Sequence, residues 1–485
     1  MLDPLLLSQV RPSDWVSPTP ARLYDLVVLG GGTAGLVSAV GAAGLGARVA
    51  LVERAYLGGD CLMTGCIPSK ALLRSARAVD EGRRAGSVGV PTVSTVDFAA
   101  VMAHVHARQA SLAPHDSAER LRGLGVHVFF GDAAFSGRRT LLVDERTLRF
   151  RRAVIATGTR AAVPDIPGLD SVPYLTNESV FNVTACPKHL VVLGGGPVGC
   201  ELAQAFALLG SRVTLIETAP RILPKEDPDA SAVLATKLAD CGVKIRTSAR
   251  VDKISPASGG ALLSLGSEAI TCDQLLIATG RRPNVEGLNL DRAGVRLGDH
   301  GVDVDDHLRT ANRRIFAAGD ICSPLRFTHA ADAAARIVVR NALFFGRQRV
   351  SRLVVPRCVY TSPEIAHVGV EAAASSSDVK VITVPLADVD RPVVDDEREG
   401  FVRVYHIGGR LVGATVVAPH AGEVIGLLGL CIQQGTTLSD LSSTIFPYPT
   451  VAEALRKAGD SYRREGLTPS LGAWLTRYFG LLRWD

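Results

Sequence analysis

The stretch YDLVVLGGGTAGLVSAVGAAGLGARVALVER, residues 24–54, decides the fold. Val27, Val28 and Leu29 read as a buried strand. Gly30, Gly32 and Gly35 follow in G-x-G-x-x-G spacing, and a second apolar run, 49–52, ends at Glu53. Each part has a physical task. The glycines let backbone amides approach a pyrophosphate at a helix N-terminus. An acid about 20 positions on accepts hydrogen bonds from a ribose hydroxyl. A glycine triplet alone is weak evidence; this one comes with its strand, its helix and its acid.

The unit recurs as HLVVLGGGPVGCELAQAFALLGSRVTLIET, residues 189–218. Gly194, Gly196, Gly199 and Glu217 stand 164 positions beyond Gly30, Gly32, Gly35 and Glu53. A chance glycine loop would not carry its acid along at constant spacing, so two dinucleotide-binding units are expected. RRAVIATGT at 151–159 and QLLIATGRRPN at 274–284 are also alike. Each is an apolar strand ending in Thr-Gly, returning to a parallel sheet, and Thr157, Gly158 and Gly280 are candidate cofactor contacts. IFAAGDI at 315–321 is a third strand-like run, ending at Asp320.

Between the two units lies GGDCLMTGCIPSK, 58–70, with Cys61 and Cys66. It reads as a turn, Gly58–Gly59, entering a helix that carries both thiols in its first turns. A helix N-terminus stabilises a thiolate. Bringing a thiol from about 8.5 to below 7 takes roughly 2 kcal/mol, and a helix end supplies about 0.3–1 kcal/mol. A second electrophilic neighbour is therefore expected. The competing readings are a structural disulfide and half of a metal site. A loop this short contributes roughly 2 kcal/mol as a staple, which a chain of 485 residues does not need. A metal pair calls for a second pair, whereas the remaining cysteines (186, 200, 241, 272, 322, 358, 431) stand singly. The pair reads as redox-active, with no metal site.

Composition narrows the class. Length predicts about three domains. Lys+Arg 53 against Asp+Glu 48, with no basic block, argues against a nucleic-acid partner. No apolar stretch is long enough for a spanning helix, and scattered cysteines suit a reducing cytoplasm. Proline-punctuated residues 1–22 read as an extended surface arm. From about 353 nucleotide signatures stop: 401–418 reads as a hairpin turning at Gly408–Gly409 and GEVIGLLGLCIQQG as a helix. The tail, 467–485, places Leu471, Trp474, Leu475, Tyr478, Phe479 and Leu482 at helical spacing, with Arg477 and Arg483. It is expected to pack on the body or a partner subunit, with membrane-surface contact as the alternative.

A first nucleotide unit, a Cys-x4-Cys pair, a second nucleotide unit and a C-terminal α+β domain, in this order over roughly residues 22–465, resemble the class I pyridine nucleotide–disulfide oxidoreductases. The resemblance implies an α/β fold with two Rossmann-like domains and a C-terminal α+β dimerisation domain. The expected boundaries are 1–22 (arm), 23–164 with 293–352 (FAD), 165–292 (NAD(P)H), 353–466 (dimerisation) and 467–485 (tail helix). It also implies a homodimer in which the partner's C-terminal domain completes each active site. By motif, Gly30, Gly32, Gly35, Glu53, Gly59, Lys70 and Asp320 would serve FAD, with Asp320 on the ribityl chain. Cys66 would face the flavin as the charge-transfer thiolate, Cys61 would meet substrate, and Lys70 would pair with Glu201.

IFPYPTVAEALRKAGD, 445–460, bears on the acceptor. Dihydrolipoamide dehydrogenases and glutathione reductases have a His-Pro here, with a Glu four residues beyond the Pro. This chain keeps Pro449 and Glu453 but has Tyr448, a poor general base at neutral pH. The run Pro447, Tyr448, Thr450, Glu453 is similar to mercuric reductases. Two thiolates beside a tyrosine suit a soft metal ion. No cysteine follows Cys431 and no tyrosine lies between Tyr56 and Tyr174. Both depart from mercuric reductases, so the expectation is broadened to a soft metal ion or small electrophile. A dihydrolipoyl dehydrogenase-like reductase and a non-catalytic flavin redox sensor remain as alternatives. Glu217, accepting from a 2′-hydroxyl and repelling a 2′-phosphate, predicts NADH over NADPH.

Overall fold

The computed structural model describes residues 3–93, 95–371 and 378–483. Residues 1–2, 94, 372–377 and 484–485 of the expected domains lie outside them. The chain divides into two compact units, Met1–Ile222 with Cys241–Leu353, and Leu223–Asp240 with Val354–Asp485.

In the first unit, Tyr24–Leu29 is the central strand of a seven-stranded sheet. It pairs in parallel with Val49–Glu53 on one side and Arg146–Ile155 on the other, Val28 aligning with Leu51 and Val154. Its apolar residues are buried on both faces, as a strand covered by helices on each side requires. Ile315–Ala317 joins alongside Arg146–Ile155. The helices Thr33–Gly44 and Thr328–Leu343 cover one face, with Ala39, Ala42, Ala331, Ala334 and Ala335 in a common core of small side chains. A second, four-stranded parallel sheet runs in the order Val243–Arg246, Arg212–Ile216, His189–Leu193, Gln274–Ile277. It repeats the strand–helix–strand arrangement around the helix Pro197–Leu208.

The N-terminus corrects the expectation of an extended surface arm. Pro4–Val10 is a helix, capped by the Asp3 side chain on the Leu5 amide, with Leu6 and Val10 buried in the core beneath. Pro4 sits in the first turn, where its missing N–H costs nothing, so this one of the four prolines in residues 1–22 begins a helix.

The second unit is built on a five-stranded antiparallel sheet, ordered Arg357–Val359, Glu364–Gly369, Arg410–Ala418, Phe401–Ile407, Lys380–Pro385. The helices Ala421–Gln434 and Glu453–Glu465 complete its core through Leu428 and Leu455. Leu223–Asp240 groups with this unit although neighbouring residues on both sides belong to the first. Charge explains it: Arg403 reaches Asp227 and Asp229, each at 2.7 Å, and Arg357 Nε reaches Glu226 at 2.9 Å. The tail forms the helix Pro469–Leu481, none of whose residues is buried, so the expected packing on the body is not seen among the described residues.

Candidate active site

The site begins at the first glycine turn. Gly32 is the N-cap of Thr33–Gly44 and supplies no side chain to the first-turn amides. Gly196 does the same for Pro197–Leu208. A Cβ at Gly35 would lie 1.8 Å from the Gly30 carbonyl oxygen, and one at Gly199 would lie 1.9 Å from that of Gly194. Only glycine lets helix and strand meet this closely. Both turns thus leave amides free for an anion, and the residues present fit a dinucleotide pyrophosphate. Glu53 is buried and its Oε2 accepts from the Gly31 amide at 2.6 Å. Burial pushes its carboxyl up while the amides of Ala55 and Gly31 oppose that. Glu217 accepts from the Gly195 amide at 2.7 Å and from Ala219 at 2.8 Å. Each acid therefore first pins its own turn, a role that repeats between the two copies.

The cysteine segment is fastened to this turn. Gly58 donates its amide to the Gly31 carbonyl at 2.9 Å. Gly59, with φ of +56°, lies where a Cβ would come within 2.6 Å of Gly32 Cα. The expectation of a single helix carrying both thiols is corrected. Cys61 belongs to a short helix, Gly59–Met63, which breaks at Thr64–Gly65, and Cys66 opens the long helix Cys66–Arg84. The break lets Cys61 lie against Cys66 rather than on a different face of one helix, and both are free thiols.

The pair is electrostatically split. The Cys61 thiol donates to Cys66, lowering Cys66 well below the ordinary thiol value. Burial opposes this, while the Thr328 hydroxyl and the Lys70 ammonium reinforce it. Cys61 moves the other way, through the hydrogen bond that its proton makes and through burial. Thr328 Oγ1 lies 3.1 Å from Cys66 Sγ. It opens the helix Thr328–Leu343 and is 262 residues distant in sequence, so no local pattern could reveal it. Lys70, one turn beyond Cys66, donates from Nζ to Glu201 Oε2 at 2.8 Å. Glu201 is buried in the helix of the second nucleotide turn, so this ion pair joins the helix Cys66–Arg84 to the second unit of the repeat.

A polar network borders the thiols. Asp60 accepts from Arg281, from Thr64 and, at 3.0 Å, from Asn177 Nδ2. Arg281 Nε also donates to Thr159 Oγ1 at 2.6 Å, and Thr159 donates to Asp320 at 3.2 Å. Burial pushes the Asp320 carboxyl up, against the pull of Arg281. Asp60, Thr159, Asn177 and Arg281 escaped the sequence reading because each belongs to a different element. Thr157 is tied to Asn284 by two hydrogen bonds of 2.9 Å. Gly158 and Gly280 accept from the amides of Asn284 and Ala162. These strand ends therefore hold each other.

Tyr448 and Glu453 belong to the second unit. Tyr448 is 70% exposed and donates to Asp390 at 2.8 Å; that acceptor raises its pKa further above neutrality. Glu453 is buried and accepts from Arg456 at 2.9 Å. Within the described chain no hydrogen bond joins the two.

Residues 24–335 match the family described as Pyridine nucleotide-disulphide oxidoreductase, and residues 355–459 match its dimerisation domain. The chain is 36% identical over 448 residues to a mercuric reductase of Bacillus cereus, covering 90% of this chain and 71% of that one. It is 34% identical to a dihydrolipoyl dehydrogenase of Thermus scotoductus, covering 92% and 99%. A solved Cu(II) complex of the HOCl-induced flavoprotein disulfide reductase RclA from Escherichia coli superposes with a TM-score of 0.81 at 30% identity, covering 89% and 98%. Repeated nucleotide turns, a split thiol pair and these matches agree: the chain belongs to the class I pyridine nucleotide–disulfide oxidoreductases, an FAD-dependent family that uses NAD(P)H.

Proposed function

We propose that the protein oxidises NADH and delivers the electrons, through Cys66 and Cys61, to a soft metal ion or a small electrophile. The observation that carries this reading is the split thiol pair fastened to the first nucleotide turn. FAD would be held by the turn at Gly30, Gly32 and Gly35, by Glu53 and Gly59, and by Asp320. Bound there, it supplies the relay between a two-electron hydride donor and a disulfide. The chain's own residues do the rest. Cys66 is poised as thiolate by the Cys61 thiol, Thr328 and Lys70. Cys61 keeps its proton until an acceptor arrives, then supplies the second sulfur. Lys70, held by Glu201, keeps a positive charge beside Cys66. The second turn, Gly194, Gly196 and Gly199 with Glu217, would take the nicotinamide nucleotide, and the carboxylate of Glu217 would disfavour a 2′-phosphate. A homodimer is part of this reading, supported by the dimerisation-domain match.

Tyr448 supports this class of acceptor. A phenol held protonated by Asp390 cannot shuttle protons for a dithiol substrate near neutral pH, whereas soft cations need two sulfurs and no base. The mercuric reductase relative and the copper complex of RclA support this side. The dihydrolipoyl dehydrogenase relative favours the second reading, a disulfide substrate. Anaerobic NADH oxidation with Hg(II), Cu(II) or lipoamide as acceptor tests the choice. Faster turnover with a metal by about tenfold or more is expected; lipoamide turnover above both metals would transfer the assignment to the disulfide reductases.

A further inference from the structure

The helix Pro469–Leu481 is specified locally. Thr468 caps it, its side chain accepting from the Leu471 amide, and Pro469 stands in its first turn. It therefore needs no tertiary contact to begin, and none of its residues is buried. At 3.6 residues per turn, Leu471, Trp474, Leu475, Tyr478, Phe479, Leu481 and Leu482 share one face of roughly 160°. Trp474 is 59% exposed and Phe479 50%; the Trp474 and Tyr478 rings stack with centroids 5.6 Å apart. Arg477 falls beside one border of this face, and Arg483 follows the helix in an exposed turn. Ser470 and Gly472 flank the face, and the opposite side carries only Pro469, Ala473, Thr476 and Gly480. From Gly466 to Arg483 there is no carboxylate, and Arg463 and Arg464 precede the stretch.

We propose that this helix docks the enzyme on an anionic lipid bilayer, lying in the interface with its aromatic face in the headgroup region. Aromatic and leucine side chains facing inward, bordered by arginines, are what such an interface holds, and each arginine near an anionic surface adds attraction. A second copy of the chain is a poorer occupant. Two-fold pairing presents the same surface from both sides, so the two copies of Arg477 would approach each other with no acid on the helix to receive them. Lipid phosphates supply the missing countercharge.

The test uses the full-length FAD-loaded protein, sedimented with vesicles of phosphatidylcholine alone or mixed with phosphatidylglycerol. Binding to the phosphatidylglycerol vesicles, weakened by salt and much lower on phosphatidylcholine, is expected. The triple variant Trp474→Ser, Tyr478→Ser, Phe479→Ser and the double variant Arg477→Glu, Arg483→Glu should each lower that binding by about tenfold or more. Both should retain their flavin absorbance and NADH oxidation rate. Wild-type protein that stays in the supernatant with both vesicle types would overturn the proposal. So would undiminished binding by both variants. A triple variant that becomes smaller by light scattering, while the wild type ignores vesicles, would assign the helix to a second copy instead.

Discussion

At the scale of single residues, the proposed chemistry rests on unequal thiols. Cys66→Ser should abolish the long-wavelength thiolate–flavin absorbance that appears on two-electron reduction. Cys61→Ser should keep that band and lower acceptor turnover by roughly 10³-fold or more, because one of the two sulfurs that meet the acceptor is gone. A band surviving in Cys66→Ser would reverse the two roles. Thr328 is the residue whose contribution separates positioning from packing. Its hydroxyl is one of the groups that lower Cys66, and a hydrogen bond to a charged group is worth about 1.5–3 kcal/mol. Thr328→Val, nearly the same shape, should therefore move the midpoint at which the band is lost on acidification upward by about one pH unit. An unshifted midpoint with intact flavin binding would show that Thr328 only fills space.

At the scale of elements, the two glycine turns make a paired experiment possible. A methyl at Gly35 or Gly199 collides with a backbone carbonyl rather than with a yielding side chain. Each substitution should therefore damage its own turn. Gly35→Ala is expected to leave the purified protein depleted of flavin. Gly199→Ala should keep the flavin and raise the NADH KM by about tenfold or more, with little change in the bound-flavin spectrum. Equal flavin loss in both variants would indicate that the two turns are not separable sites. The break at Thr64–Gly65 is the other feature of this scale. It divides what the apolar pattern reads as one helix, and Thr64 helps to stop the first piece by donating to Asp60.

At the scale of the whole molecule, acid stability has a definite source in the second unit. His367 is buried against Thr415, and burial, aided by Arg357, pulls it down to about 4. Between the unfolded value near 6.5 and the folded value, the unfolded chain binds a proton that the native one refuses. Stability conferred by neutral His367 is thus present above 6.5 and is lost as pH falls toward 4, by about 2 kcal/mol at pH 5. The urea midpoint of this unit should drop more steeply from pH 7 to pH 5 in wild type than in His367→Asn; parallel slopes would remove His367 as the cause. Nicotinamide choice belongs to this scale too, since it depends on how the second sheet presents Glu217. NADH should show a KM about tenfold or more below that of NADPH, and Glu217→Arg should narrow or invert the ratio. A wild-type preference for NADPH would refute that part of the proposal.

The sequence by itself determined the parallel sheets, the duplicated turns and the family. Those follow from short-range rules: apolar strands, glycines where a backbone must approach another, and an acid at the next strand's end. It also placed Lys70 and Glu201 as partners through their motifs, although 131 residues separate them. Tertiary structure completed the helix at Pro4–Val10, because the burial of Leu6 and Val10 adds to the local Asp3 cap and outweighs what a proline-rich composition suggests. It decided the grouping of Leu223–Asp240, which follows the charges of Arg357 and Arg403 rather than chain order. It also decided the environment of the thiols: Thr328, Arg281 and Asn177 reach the cysteine segment only after three separate elements fold onto it, and no spacing within the chain encodes that convergence.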